Sequence, residues 1–152
     1  MTSTLLVVHH TASPAMQELL EAALAGTRAH GIEGVEVVVQ PALGATASDV
    51  LAADGFLLGT PANIGYMSGA LKHFFDTVYY PTLTARTGAP YGLYVHGNND
   101  ATGAIRAVES IAGGLGWLRA HEPVTITGAV TRDATEAVWE LAATVAATLA
   151  GL

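Results

Sequence analysis

Phe56-Leu57-Leu58-Gly59-Thr60-Pro61-Ala62-Asn63-Ile64-Gly65-Tyr66-Met67-Ser68-Gly69-Ala70-Leu71-Lys72-His73-Phe74-Phe75-Asp76 joins three kinds of sequence in one stretch. Phe56 to Leu58 is a short, continuous apolar run, the pattern of a strand buried on both faces, and it stops at Gly59-Thr60-Pro61. Leu71, Phe74, Phe75 and Val78 then recur at helical spacing, with Ser68 placed to cap that helix. Residues 59–68 between them read as a long loop. Strand, loop and helix in this order make one unit of an α/β domain.

The unit repeats on either side. Leu5 to Val8 is an apolar run followed by His9-His10-Thr11-Ala12-Ser13-Pro14. There Ser13 is a good N-cap and Pro14 a good first helical residue, and Met16, Leu19, Leu20, Ala23 and Leu24 form the apolar face of a helix ending between Gly26 and Gly31. Val35 to Val39 predicts a second strand, with a short helical segment near Asp49 to Ala53. Tyr91 to Val95 predicts a fourth strand, ending at His96-Gly97-Asn98-Asn99-Asp100, and Ile105, Val108, Ile111, Ala112 and Leu115 line the helix after it. Val124 to Ile126 predicts a fifth strand. Asp133 and Glu136 then form a capping-box-like start to a last helix carrying Val138, Leu141, Val145 and Leu149. Five apolar strands alternating with helices call for a parallel sheet covered on both faces, a three-layer α/β domain. With no internal repeat or linker, residues 1–152 read as a single domain. Ligands in open α/β sheets sit beyond the carboxyl ends of the strands, which singles out residues 9–16, 59–68 and 96–103.

Composition narrows the function. Six Lys and Arg against thirteen Asp and Glu give a net charge of −7, and Lys72 is the single lysine, so a nucleic-acid partner is excluded. Mean hydropathy is +0.40, yet no stretch reaches the ~20 consecutive apolar residues of a spanning helix. The absence of Cys leaves no disulfide, thiolate metal site or cysteine nucleophile, so any redox chemistry falls to a bound cofactor. The first residues lack the basic and apolar segments of a secretory signal, and the expected location is the cytoplasm.

The run from Gly59 to Lys72, with Thr-Pro, then Gly, then Met-Ser-Gly leading to Phe-Phe-Asp, resembles the second flavin-binding loop of flavodoxin-like proteins. His96-Gly97-Asn98-Asn99-Asp100, followed by Thr102-Gly103, is similar to the loop that contacts the isoalloxazine edge in that family. The resemblance spans essentially the whole chain and implies a five-stranded parallel sheet of order 2-1-3-4-5 with helices on both faces. It also implies bound FMN. Thr60, Pro61, Ala62, Asn63, Ile64, Gly65 and Tyr66 would then hold the ring and ribityl chain, and His96, Gly97, Asn98, Asn99 and Asp100 the ring edge. His10, Thr11, Ser13, Ala15 and Met16 would meet the phosphate.

The first loop departs from the family pattern Ser/Thr-x-Thr-Gly-x-Thr, whose hydroxyls and amides wrap a phosphate at a helix N-terminus. Thr11 and Ser13 match the first two hydroxyls, but Pro14 stands in place of Gly and Met16 in place of the last hydroxyl. Each hydrogen bond to a charged group contributes about 1.5–3 kcal/mol, so two losses weaken phosphate binding by at most about 3–6 kcal/mol. The expectation is a flavin held loosely or exchanged.

Other chemistries fit less well. Six His without Cys invite a metal site, but there is no His-Glu-x-x-His pattern, and adjacent His9 and His10 point to opposite faces of a strand. Neither Gly-x-Gly-x-x-Gly nor a P-loop is present, and Ser68 lacks the Gly-x-Ser-x-Gly context of a nucleophile. His30, His73 and His121 read as surface or capping residues. Tyr79, Tyr80, Pro81 and Trp117 read either as peripheral packing or as part of a homodimer interface closing over the flavin.

The resemblance thus implies an oxidoreductase in which FMN passes electrons or hydride from NAD(P)H to a small-molecule acceptor such as a quinone or free flavin, with no catalytic side chain required. Two alternatives stay open: a one-electron FMN carrier, and a domain that has lost its cofactor and acts as a binding or regulatory module.

Overall fold

The computed structural model describes residues 2–152. The elements are β1 (Ser3–His9), α1 (Pro14–Thr27), β2 (Val35–Pro41), α2 (Ala47–Ala52), β3 (Gly55–Asn63), β4 (Tyr66–Met67), α3 (Gly69–Val78), β5 (Pro90–Gly97), α4 (Thr102–Leu115), β6 (Leu118–Arg119), β7 (Val124–Thr127) and α5 (Arg132–Leu149). The sheet runs β2-β1-β3-β5, and β6 and β7 both pair with β5 on its far side. All of these pairings are parallel. The order is that expected for a flavodoxin-like fold, but the sheet has seven strands rather than five. The fifth strand is split into β6 and β7 by a segment containing Pro123, which has no N–H to donate. The other addition is β4, which folds back antiparallel on the end of β3.

Continuous apolar runs are explained by burial on two sides. In β1, Leu6 and Val8 enter a core shared with Val50, Phe74, Phe75 and Val108 from α2, α3 and α4. Leu5 and Val7 enter a second core with Met16, Leu19, Val138, Leu141 and Val145 from α1 and α5. At roughly 1.5–3 kcal/mol for each fully buried Leu, Val, Phe or Met side chain, these two cores dominate the stabilisation of the three layers. β2 lies at the sheet edge, and there Glu36 and Val39 are exposed.

Several local expectations are corrected. β3 does not stop at Gly59-Thr60-Pro61. Thr60 and Pro61 remain in register with Val95 and His96 of β5, and the strand continues to Asn63. α5 begins two residues earlier than a cap at Asp133 requires: Thr131 is the N-cap, and its hydroxyl accepts the Ala134 N–H at 3.3 Å. α2 carries a capping box that the pattern did not disclose, with Thr46 Oγ1 accepting the Asp49 N–H and Asp49 Oδ2 accepting the Thr46 N–H. Trp117 is not peripheral: it is buried and stacked on Phe56, with centroids 3.8 Å apart and planes inclined by 9°. Tyr80, by contrast, is 81% exposed. Among the described residues no helix is long and apolar enough to cross a membrane.

Candidate functional site

The carboxyl ends of β1, β3 and β5 lie side by side, and the three segments that leave them enclose one cleft of about 300 Å³. Ser13, Pro14 and Ala15 line it from the first, Pro61, Ala62 and Asn63 from the second, and His96, Gly97 and Asn98 from the third. No carboxylate is in that lining, so an anion entering the cleft meets no like charge in its wall. A concave site with a few convergent polar groups is the usual form of a small-ligand site.

The first wall is the N-terminus of α1. Ser13 has an extended backbone and its Oγ accepts the Met16 N–H at 3.1 Å, while Ser13 O accepts the Gln17 N–H at 3.0 Å. Pro14 has no N–H. The Ala15 amide is therefore the first-turn donor left for a ligand, together with the Ser13 hydroxyl proton. The Met16 side chain lies in the core rather than in the cleft. Upstream, His10 is anchored by its N–H to Gly59 O at 2.9 Å, and its ring Nδ1 is buried without a partner among the described residues. Thr11 Oγ1 lies 2.8 Å from His9 Nδ1.

The second wall is a hairpin. Ala62 and Asn63 pair with Met67 and Tyr66 across a two-residue turn, Ile64-Gly65, with φ of 51° and 73°. Two positive φ values mark a type I′ turn, which suits Gly65 but strains a β-branched Ile64. Ile64 is also fully solvent-exposed and Tyr66 is 41% exposed, so the tip carries apolar surface that the fold does not cover. Thr60 secures the hairpin base from its buried position: its hydroxyl donates to Pro61 O at 2.8 Å and accepts the Ser68 N–H at 3.0 Å. Ser68 in turn caps α3 by accepting the Leu71 N–H at 3.2 Å. The tip rests on α4, where any side chain at Gly103 would collide with Gly65 O.

The third wall follows β5. His96 Nε2 lies 2.7 Å from Gly128 O and must donate to that carbonyl, which leaves Nδ1 as an acceptor in the neutral ring. Asp100 is turned away to start α4. Its Oδ1 accepts the Thr102 N–H at 2.9 Å and the Thr102 hydroxyl at 2.5 Å, and these bonds hold its carboxyl below the usual carboxylate range. Asn98 and Asn99 are exposed.

The structure thus gathers Ser13, Ala15, Pro61 to Asn63 and His96 to Asn98 around one space. Ile64, Gly65 and Tyr66 sit at its hairpin rim, and Thr11 and His10 precede its helical wall. Met16 and Asp100 are engaged internally. Sequence pattern gave no hint of His9 beside Thr11 or of Gly128 beneath His96, because neither contact has a fixed spacing signature. Among the described residues no three His, Cys, Asp or Glu side chains cluster in a way that could hold a metal.

Residues 32–135 match the family model described as NADPH-dependent FMN reductase. The chain belongs to this family. Within the wider flavodoxin-like group, it is 38% identical over 73 residues to a flavodoxin of Aquifex aeolicus (strain VF5). That alignment spans 48% of this chain and 38% of the relative. Among solved structures, the flavodoxin, WrbA-like protein from Agrobacterium tumefaciens superposes with a TM-score of 0.79 at 18% identity, covering 97% of this chain and 98% of the other. The Streptococcus pneumonia TIGR4 flavodoxin gives a TM-score of 0.81 at 19% identity, covering 96% and 99%. At such identities these likenesses establish the fold alone.

Proposed function

We propose that this member of the family binds FMN non-covalently in the three-walled cleft and acts as a flavin oxidoreductase, passing electrons from NAD(P)H to a small acceptor such as a quinone or free flavin. The observation that carries this reading is the convergence of three loops, from β1, β3 and β5, on a single cleft with no carboxylate in its wall. The donor set suits a flavin phosphate: the Ser13 hydroxyl and Ala15 N–H stand at the positive end of the α1 dipole. The buried, unpartnered His10 Nδ1 is a further polar group that the protein alone leaves unsatisfied beside this loop.

When bound, FMN supplies the electron and hydride chemistry at its ring. The chain supplies position and shielding. The 61–66 hairpin, held at its base by Thr60 and Ser68, presents Ile64 and Tyr66 as apolar cover for a flat ring. His96, fixed by Gly128, offers an acceptor at the opposite wall, and Asn98 offers both donor and acceptor. No side chain needs to exchange a proton.

The exposed hairpin rim favours a second reading, a one-electron carrier, because a protein partner has free access to it. Purified protein titrated with FMN decides whether flavin binds, with quenching of flavin fluorescence as the readout; no change on mixing refutes both readings. With FMN bound, steady oxidation of NADH or NADPH in the presence of a quinone supports the enzyme, and no turnover with either nucleotide leaves the carrier.

A further inference from the structure

The phosphate loop of this chain is short of donors. Pro14 has no N–H, the Met16 N–H is taken by Ser13 Oγ, and the single lysine lies in α3, paired with Asp76 at 2.6 Å. The one side-chain hydroxyl in the loop besides that of Ser13 belongs to Thr11, and it is already in contact with His9. A hydroxyl has one proton to give. If His9 Nδ1 is a bare lone pair, Thr11 spends its proton on the ring and turns oxygen lone pairs toward the loop. If Nδ1 carries the hydrogen, Thr11 accepts from the ring and its own proton is free.

We infer that His9 is a positioning residue for the flavin phosphate: its Nδ1–H donates to Thr11 Oγ1 and so orients the Thr11 hydroxyl to donate into the first loop. This rests on the flavin reading given above. The geometry fixes the contact itself, since the 2.8 Å approach is made across two residues and both side chains are partly buried, which restricts their rotation; the direction is inferred from the loop's need for a hydroxyl donor. His9 itself is fixed along the sheet, its backbone in register with Pro41 on one side and Gly59 on the other. Its O accepts the Ala42 N–H at 2.8 Å. An imidazole donating to a hydroxyl polarises it, and a charge-assisted bond from such a hydroxyl is worth more than one from an isolated hydroxyl.

The test compares FMN with riboflavin, which lacks the phosphate, by fluorescence titration of wild type, His9→Phe, His9→Asn, Thr11→Val and the double variant His9→Phe/Thr11→Val. Wild type is expected to prefer FMN. His9→Phe should lower FMN affinity about tenfold and leave riboflavin unchanged, matching the loss of one charge-assisted bond. His9→Asn, whose Nδ2–H stands near the place of Nδ1–H, should restore most of the preference. Thr11→Val should cost about as much as His9→Phe, with little further loss when the two are combined. An unchanged FMN-to-riboflavin ratio in His9→Phe overturns the assignment while the flavin reading stands, and so does a gain in FMN affinity, which would mean that His9 withdraws the Thr11 proton. Equal wild-type affinity for the two flavins overturns it as well. Failure of wild type to bind either flavin removes the underlying reading itself. Thermal unfolding of each variant separates a folding defect from a binding one.

Discussion

Gly65 O of the hairpin rests directly on the Cα of Gly103 in the first turn of α4, so closely that no Cβ fits between them. Two of the three walls of the cleft are thereby set against each other through backbone alone. Gly103→Ala must push the hairpin tip away from α4, and overpacking of this kind costs about 1–3 kcal/mol. Because the tip is exposed and packs on little else, the displacement should appear mainly in the site. FMN affinity is expected to fall about tenfold or more, while the melting temperature changes by only a few degrees. Titration and thermal unfolding of the same preparation check both parts.

Ile64 is costly for the isolated fold on two counts, since it is fully exposed and β-branched with a φ of 51°. Asn accepts this conformation far more readily. Ile64→Asn is therefore expected to raise stability by about 1 kcal/mol and, if Ile64 covers the flavin ring, to weaken flavin binding at the same time. Opposite signs in a denaturant titration and a flavin titration are the expected result. A variant more stable with unchanged flavin affinity would show that Ile64 does not touch the ring.

The parts of the molecule legible in sequence are those whose cause is local or periodic. β1, β3 and β5 read as unbroken apolar runs because both of their faces meet helices, and Ser13, Pro14 and Ser68 announce helix starts by chemistry that acts within one turn. What escaped reading depends on partners distant in the chain. Thr60 and Pro61 look like a strand end, yet pairing with Val95 and His96 extends β3 into the site. Trp117 looks peripheral after a helix, yet it is buried and stacked on Phe56 of β3. In the first loop, helical spacing put Met16 on the apolar face of α1, where its side chain is indeed buried, whereas the family resemblance counted it among the phosphate contacts. No local pattern disclosed that His9 engages Thr11.

Tyr94 offers a test of the core beneath the cleft. Its ring lies over Gly59 and its hydroxyl is fully buried with no hydrogen-bond partner among the described residues, and burial pushes the phenol pKa far above its ordinary value. An unsatisfied buried hydroxyl costs about 1–3 kcal/mol relative to one in water. Tyr94→Phe removes the polar atom and keeps the ring, so stability should increase by about 1 kcal/mol in denaturant unfolding with an unchanged m value. A loss of stability would mean that a water partner reaches the hydroxyl.

His9 also makes stability depend on pH. Burial, aided by repulsion from the neighbouring His10, holds its pKa below the ordinary 6.5. The folded protein therefore binds a proton at His9 less readily than the unfolded chain does, and protonation favours unfolding. The stability associated with a neutral His9 is complete above about pH 6.5 and declines as pH falls from there toward the lower pKa of the folded state. His9 is only partly buried, so the effect should be modest. His9→Phe has no proton to take up at this position. The difference in unfolding free energy between wild type and His9→Phe should be constant between pH 7 and 8 and should shift against wild type as the pH is lowered through 6. A difference that stays flat from pH 8 to 5 would show that His9 has the same pKa in the folded and unfolded chain.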